Sequence, residues 1–589
     1  MIGRKSLFYM KISDRRFLVA DFETSTEAWL ERDNGWTRVW LWGLYDIDTD
    51  KFEYGIDLDS FMNRALIKDK MGNPIIYFHN LKYDGSYIVW WLFSNGYVFD
   101  EDLSKEKTFK TCISDMGQWY FIEVCIYKHK RAKYIIRFQD SLKKIPLPVR
   151  DIPSAFGFAD SEAKGELDYD YYRAVGYMPN SAELGYLRSD CVIVARALKQ
   201  LEEQGFTRMT NSGDAFYAWK LSLQTERARA KHIKPEHNYR AHYPLLPIEV
   251  DDYIRRAYRG GWTYVNPKYA GKELTKPVEV WDINSMYPDK MRNKYLPVGE
   301  PRFFKGKPKP NKYQCYICRI MICFDIKKDH LPCIQLKNCG MFKPTEYIES
   351  SLEQEIEMIV TNIDLSLIFA QYRVSKITYI DGYYFNKAKG YFNEHIDTQM
   401  AIKERAKGGE RYVAKLRMNT VYGKTATAPR KKSKIPHLED DVLKFSFSEE
   451  KIEDPEYTAL AVFITSWARN DIIRDAQKNY DRFIYCDTDS LHMFKREDGK
   501  DPDLPIHPTH LGFYKKEHDV IKSTFLRSKT YIEQYANGDV EIKCAGASPE
   551  VKKGMNFENF QVGMTFEGKL APKQVKGGCV LTKTTFTIK

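Results

Sequence analysis

The sequence predicts a multidomain protein of mixed α/β and α+β class, and three observations carry that expectation. Its 589 residues exceed what a single hydrophobic core organises. Hydrophobic residues make up 43% and aromatics 14%, which is material for several packed cores, and no long low-complexity tract argues for disorder. A strand-like FLVADFET follows Arg16 and a helix-like AELGYLRSDCVIVARALKQLEEQG ends at Gly205, bounding a first α/β unit. A stretch rich in His, Pro and basic residues (ARAKHIKPEHNYRAHYPLLP) reads as a connection. Beyond Tyr258-Arg259-Gly260-Gly261, the strand-like VEVWDINSMYP starts a second, larger unit. Within it, 391–424 reads as helices interrupted at Gly408-Gly409, and 426–457 as short, polar, proline-punctuated segments. There is no internal repeat.

Charge and cysteine usage narrow the class. Lysine and arginine number 91 against 80 acids, a formal net charge of +11, which suits a polyanionic partner without establishing one. The 11 cysteines are odd in number and scattered, and no apolar N-terminal run resembles a secretory signal, so a reducing, intracellular compartment is expected. Cys315-x-x-Cys318, with Cys323, Cys333 and Cys339 downstream, has the look of zinc ligands. QCYICRIMICFDI alternates like a strand, however, where cysteine serves as a small apolar residue. No run of 18 apolar residues exists, and no membrane span is expected.

The first candidate site starts at Asp21-Phe22-Glu23-Thr24, where the two-residue period of a strand places both carboxylates on one face. Such acidic pairs arise by chance about ten times in a chain of this composition, so the pair gains meaning only from its companions. Asp84 follows the strand-like PIIYFHN, and Tyr186-x-x-x-Asp190 sets a phenol and a carboxylate one helical turn apart. Four carboxylates and a tyrosine suit metal-assisted hydrolysis of a phosphodiester: two Mg²⁺ or Mn²⁺ ions held by Asp21, Glu23, Asp84 and Asp190, with Tyr186 orienting water. Lys164 would approach the scissile phosphate or is a plain surface lysine. Thr24, Asn80, Tyr83 and Tyr87 would grip a frayed 3′ end, although tyrosines also fill cores. This arrangement resembles the DEDDy exonuclease domains of proofreading DNA polymerases over roughly the first 200 residues.

The second site opens at Asp282-Ile283-Asn284-Ser285-Met286-Tyr287-Pro288, where an apolar strand delivers a carboxylate into a polar turn. Tyr485-Cys486-Asp487-Thr488-Asp489-Ser490 adds two carboxylates in a hairpin after RFIY; alone, its alternatives are a calcium loop or an ordinary polar turn. Between them, Lys415, Asn419 and Tyr422 share one helical face, suited to a nucleoside triphosphate, and Gly423 allows close approach of a template base. Lys403 and Arg411 lie upstream at multiples of four and extend the cationic surface, or Arg411 is merely solvated.

These segments resemble motifs A, B and C of family B DNA polymerases, and Lys529-Thr530-Tyr531 resembles the motif that contacts the primer terminus. YRGG at 258–261, SLKKIP at 141–146 and FENFQVG resemble the protein-primed branch of small tailed phages. The resemblance implies an RNase H-like exonuclease domain (1–205) followed by a right hand: palm (206–293 and 456–545), fingers (391–426) and thumb (546–589). It also implies two insertions, 294–390 for a terminal protein and 427–455, with its basic RKKSK, for enclosing DNA and separating strands. Asp282 and Asp489 would bind two metal ions with the Ile283 carbonyl, supported by Asp487. Tyr287 would exclude a 2′-hydroxyl, while Ser285, Lys403, Lys415, Asn419 and Tyr422 would hold the nucleotide. Ser141, Leu142, Tyr258, Gly260, Gly261, Lys529 and Tyr531 would contact DNA. Implied partners are template-primer DNA, deoxynucleotides and a terminal protein whose hydroxyl primes synthesis, for a monomer in the cytoplasm of an infected bacterium. Met286 and Thr420-Val421 depart from the usual motif residues, within the nucleotide pocket. MIGRKSLFYMKISDRR is longer than the family needs. The alternative is a stand-alone nuclease with a nucleic-acid-binding C-terminal half.

Overall fold

The alternating residues of FLVADFET form strand Phe17–Thr24, which pairs antiparallel with Val39–Asp46 and parallel with Ile75–Phe78. The eight-stranded sheet around it runs Lys51–Gly55, Val39–Asp46, Phe17–Thr24, Ile75–Phe78, Ala132–Asp140, Trp119–His129, Thr108–Ile113, Val98–Phe99. Leu18, Ala20 and Phe22 point to one face and pack against helix Leu81–Ser94, through Tyr87 and Ile88 among others. Val19 points to the other face, toward Cys191 and Val194 of helix Ser181–Glu203. By the same parity Asp21 and Glu23 face that second helix. It starts in a capping box between Asn180 and Glu183 and stops before Gly205, at φ +82°. These coordinates come from a computed structural model that describes residues 17–67, 73–130, 132–158, 167–335 and 346–589. The N-terminal MIGRKSLFYMKISDRR, Lys164 and Cys339 lie outside the described residues.

The stretch expected to be a connection is partly helical, through Glu226–Ala230 and Pro235–His242, and helix Ile248–Arg255 follows it. Pro235 occupies the first turn of its helix, where a missing N–H costs nothing, so a residue that reads as a breaker is an initiator. A second, antiparallel sheet follows in the order Val540–Cys544, Thr530–Tyr535, Tyr514–Arg527, Val278–Ile283, Ser490–Phe494, Phe483–Asp487, Thr263–Val265. Helix Ala459–Lys478 lies buried beside it. Helices Asn393–Arg405 and Gly408–Thr425 are separate elements, as the glycines suggest.

Segment 294–390 builds its own four-stranded sheet, in the order Leu296–Lys305, Tyr372–Ala388, Gln314–Ile326, Ile356–Thr361. Cys315, Cys318 and Cys323 are buried along strand Gln314–Ile326, with Cys315 and Cys318 packed into different cores on its two faces. Segment 427–455 forms two small sheets, pairing Arg430–Lys431 with Lys451–Ile452 and Lys434–Glu439 with Val442–Phe447. The chain ends in hairpin Thr565–Val575 and Gly578–Thr587, whose tip seats on the N-terminal unit. There the Thr37 N–H donates to the Lys576 carbonyl (2.9 Å), and the Tyr87 hydroxyl donates to the Cys579 carbonyl (2.5 Å). A Cβ at Gly577 would lie 2.4 Å from the Thr37 oxygen and one at Gly578 2.5 Å from the Tyr87 ring, so this contact requires both glycines. Among the described residues, no helix is long and apolar enough to cross a membrane.

Candidate active sites

The first site is a cavity of about 900 Å³ between the N-terminal unit and the C-terminal hairpin, which contributes Leu570, Leu581 and Lys583; Asp21, Glu23, Asp84, Asp190, Tyr186, Thr24, Asn80 and Tyr83, all expected from sequence, line it. Asp21 and Glu23 come from the strand, Asp84 from the first turn of helix Leu81–Ser94, and Tyr186 and Asp190 from one face of helix Ser181–Glu203. The start of the Leu81 helix is fixed by Asp140, whose Oδ1 accepts the N–H groups of Asn80 (3.1 Å) and Leu142 (3.0 Å). Burial, and then the charge of Asp21, hold the Asp84 carboxyl well above its ordinary range. Burial also raises Tyr186, which stays a neutral phenol hydrogen-bonded to Tyr169 (3.0 Å). The Tyr83 hydroxyl, pushed up to about 12 by burial, pairs with Thr24 (2.8 Å).

Two expected DNA contacts are corrected. Tyr87 is fully buried: its hydroxyl is taken by Thr37 (2.9 Å) and the Cys579 carbonyl, which leaves no surface for a strand end. Ser141 is also fully buried, donating to the Phe78 carbonyl (3.0 Å) and holding His79 Nδ1 at 2.9 Å. Leu142, its neighbour, is half-buried. His79 and Tyr169 line the cavity and had not been singled out. No spacing signals them, because one follows a parallel strand and the other lies in a tyrosine-rich loop.

The second site is made by one strand pairing. Asp282, at the end of Val278–Ile283, sits opposite Ser490, and the Ile283 N–H donates to the Asp489 carbonyl (2.9 Å). The intervening turn holds Thr488 at φ +67°, with its N–H donating to Trp262 (2.9 Å). Burial, and then the neighbouring Asp489, push Asp282 up to about 7; burial and Asp487 push Asp489 up to about 6. Asp487 accepts from Lys529 Nζ at 2.8 Å. Lys515 lies opposite Asp282 on the adjoining strand, and its charge and that of Lys415 partly offset the repulsion.

A nucleotide-sized environment adjoins these acids. Ser285, at φ +51°, starts helix Met286–Asn293 and accepts from Lys403 Nζ (3.2 Å). Tyr287 stacks on Tyr422 with ring centroids 4.4 Å apart. A Cβ at Gly261 would meet Thr488 Cγ2 at 2.6 Å and the Tyr287 hydroxyl at 2.9 Å, so the 258–261 loop presses on both motifs only because this residue is glycine. Tyr258 is half-buried and Gly260 exposed; the Arg259 and Gly260 carbonyls accept from Arg469 at 2.7 and 2.9 Å. Lys415, Asn419 and Gly423 line the exposed side of helix Gly408–Thr425, whose other side buries Ala414, Met418 and Val421.

Two expectations change here. Lys403 and Lys415 do not share a helix: a break at Ala406–Lys407 separates them, and Lys403 reaches the site from the preceding helix, while Arg411 bonds the Lys403 carbonyl. Tyr531 is 6% exposed and packs against Tyr485, His492 and Phe525, so its ring is core; Lys529 is the residue of that motif that reaches the acids.

Among the described residues, no three His, Cys, Asp or Glu side chains converge closely enough to hold an ion as they stand. In the second site Asp487 is engaged by Lys529 instead. The donor chemistry still fits a hard divalent cation, since both sites offer carboxylates forced together against their own repulsion.

A family model of the organellar and viral type B DNA polymerases matches residues 68–507. The chain is 38% identical to the DNA polymerase of Bacillus phage B103, covering 98% of this chain and 100% of the relative. Against the DNA polymerase of Streptococcus phage Cp-1 identity is 33%, covering 97% and 98%. The solved structure of phi29 DNA polymerase complexed with primer-template DNA and incoming nucleotide substrates superimposes with a TM-score of 0.89 at 36% identity, covering 98% of this chain and 100% of that one.

Proposed function

The chain belongs to the organellar and viral type B DNA polymerases, and from that premise we propose that it extends a DNA primer at Asp282 and Asp489 and excises 3′ nucleotides at Asp21, Glu23, Asp84 and Asp190. The observation that carries the proposal is the Ile283–Asp489 hydrogen bond, which sets the two acids side by side at the end of one strand pair. Similarity to a structure holding primer-template DNA and nucleotides supports the same substrates for this chain.

Asp282, Asp489 and the Ile283 carbonyl would hold divalent cations, Mg²⁺ or Mn²⁺, two at this site and two at the excision site. When bound, these supply charge neutralisation at the attacking and leaving oxygens. Lys403 and Lys415 neutralise the triphosphate, and the Tyr287 ring, braced by Tyr422, occupies the space a 2′-hydroxyl needs. Lys529 steadies Asp487 and presents its charge to the primer strand. In the excision site the Tyr186 phenol, kept neutral, orients water, while Thr24, Asn80 and Tyr83 hold the strand end.

The domain reading follows the family: an RNase H-like exonuclease domain over 1–205, palm over 206–293 and 456–545, fingers over 391–426 and thumb over 546–589. Segment 294–390 docks a terminal protein whose hydroxyl accepts the first nucleotide, and 427–455 encloses DNA during strand displacement, replicating a linear phage genome inside its bacterial host. The separate sheets of both segments support reading them as insertions. Purified protein carrying Asp282→Ala is expected to lose primer extension and keep excision. Full extension by that variant would sink the assignment. Covalent labelling of a terminal protein with dAMP tests the priming mode.

A further inference from the structure

The sequence holds several basic clusters, and the structure treats two of them differently. In the RKKSK segment, Arg430 is paired with Asp252 (2.6 Å) and Glu450 (3.5 Å), and Lys431 with Glu453. The second cluster, RFFKGKPKPNKY at 302–313, has five cations and no acid. Arg302, Lys305, Lys307, Lys309 and Lys312 are all exposed. Among the described residues none of the five has an ion-pair partner.

This segment is also hydrogen-bonded along its backbone and carries exposed aromatic rings. It comprises the end of strand Leu296–Lys305 and the crossover loop to strand Gln314–Ile326, two strands that flank Tyr372–Ala388 on opposite sides. Gly306 N–H donates to Ile380 (2.9 Å), Lys309 N–H to the Tyr384 hydroxyl, Asn311 N–H to Gln314 Oε1 (3.1 Å) and Tyr313 N–H to Asn311 Oδ1 (2.9 Å). Tyr313 stands 65% exposed with Lys312 Nζ 4.9 Å from its ring centre. The Tyr313 carbonyl accepts from the Lys387 N–H (2.9 Å), and Lys387 Nζ lies 5.6 Å from the ring of Tyr295, itself 54% exposed. Cations alternating with exposed rings on a fixed backbone match the chemistry of a single strand: phosphates for the lysines and base faces for the tyrosines.

We infer that the 302–313 crossover segment, with Tyr295 and Lys387 beside it, is a binding surface for single-stranded nucleic acid, separate from both carboxylate sites. The inference does not rest on segment 294–390 docking a terminal protein. Full-length protein in EDTA is first saturated with a hairpin primer-template, then titrated with a labelled oligo-dT of about twenty residues, read by fluorescence anisotropy across a salt series. Wild-type protein should take up this second strand. The variant Lys305→Gln/Lys307→Gln/Lys309→Gln/Lys312→Gln should bind it about tenfold or more weakly, with the slope of log affinity on log salt falling by about three. Tyr313→Ala should weaken binding about fivefold and Tyr313→Phe should not. Extension of a short template at the wild-type rate checks that each variant is folded. Unchanged oligo-dT affinity and slope in the quadruple variant would overturn the inference. So would loss of terminal-protein binding with oligo-dT binding intact, which would make the surface a protein contact.

Discussion

The acids of the first site come from three elements that meet around a 900 Å³ cavity, whereas those of the second come from one strand end, Asp282, and the strand end and turn of the hairpin paired beside it, Asp487 and Asp489. In the first, Asp84 is raised mainly by burial, so the surrounding packing sets its chemistry. In the second, Asp282 and Asp489 are tied by backbone pairing, and lysines from three other segments tune them: Lys415, Lys515 and Lys529. The contrast teaches that one cleft is shaped by its packed walls and the other by a single register, and that the two share no acid and should fail independently.

The largest expected effect tests that independence. Asp21→Ala with Glu23→Ala should cut removal of 3′ nucleotides by about a thousandfold or more, and leave extension of a short primed template within about twofold. Joint loss of both activities, measured on the same preparation, would refute the separation. Next in size, Lys529→Ala releases Asp487 and removes a cation from the second site only. Extension should fall by about tenfold to a hundredfold while excision holds, and equal loss in both assays would count against the assignment of Lys529.

A pH experiment without substrate sharpens the electrostatic half of the comparison. Asp282 and Asp489 titrate higher in the folded protein than in an unfolded chain, so the fold binds more protons between about pH 4 and 7. Stability of the metal-free protein should therefore fall as pH rises through that window. Asp282→Asn should flatten the fall, and added Mg²⁺ should restore stability at pH 8. Thermal unfolding in EDTA and in Mg²⁺ measures both; a metal-free Tm that climbs from pH 5 to 7 in wild-type but not in Asp282→Asn would contradict the sign. The smallest effect concerns the first cleft's neighbourhood. Tyr87→Phe removes one hydroxyl, about 1 kcal/mol of hydrogen bonding, and should make the C-terminal hairpin more sensitive to limited proteolysis. An unchanged cleavage pattern would show that the hydroxyl does not hold the hairpin.

What was legible in the sequence was what short-range geometry dictates. Asp21 and Glu23 share a face because strands repeat every two residues, and Tyr186 and Asp190 because helices repeat near every four. The break between the two helices near 408 was readable from adjacent glycines, yet the consequence for Lys403 was not, because helical spacing was carried across a gap. Tyr87, Ser141 and Tyr531 were misplaced for one reason. Each carries a polar atom that suggests a ligand, and in each case the fold buries the side chain. Asp140 was invisible because its task is to accept the N–H groups that begin a helix some sixty residues earlier in the chain.

The contact between Tyr87 and Cys579 spans 492 residues. During synthesis the N-terminal unit leaves the ribosome first and can pack its own sheet and helices, but strand Gly578–Thr587, which seats over Tyr87 through Cys579, emerges 492 residues behind it. Until that strand emerges, the nascent chain carries an open socket, and any truncation before Gly577 leaves it open for good. A bond between segments this far apart forms only late in synthesis, and it reports that the hairpin has joined the N-terminal unit.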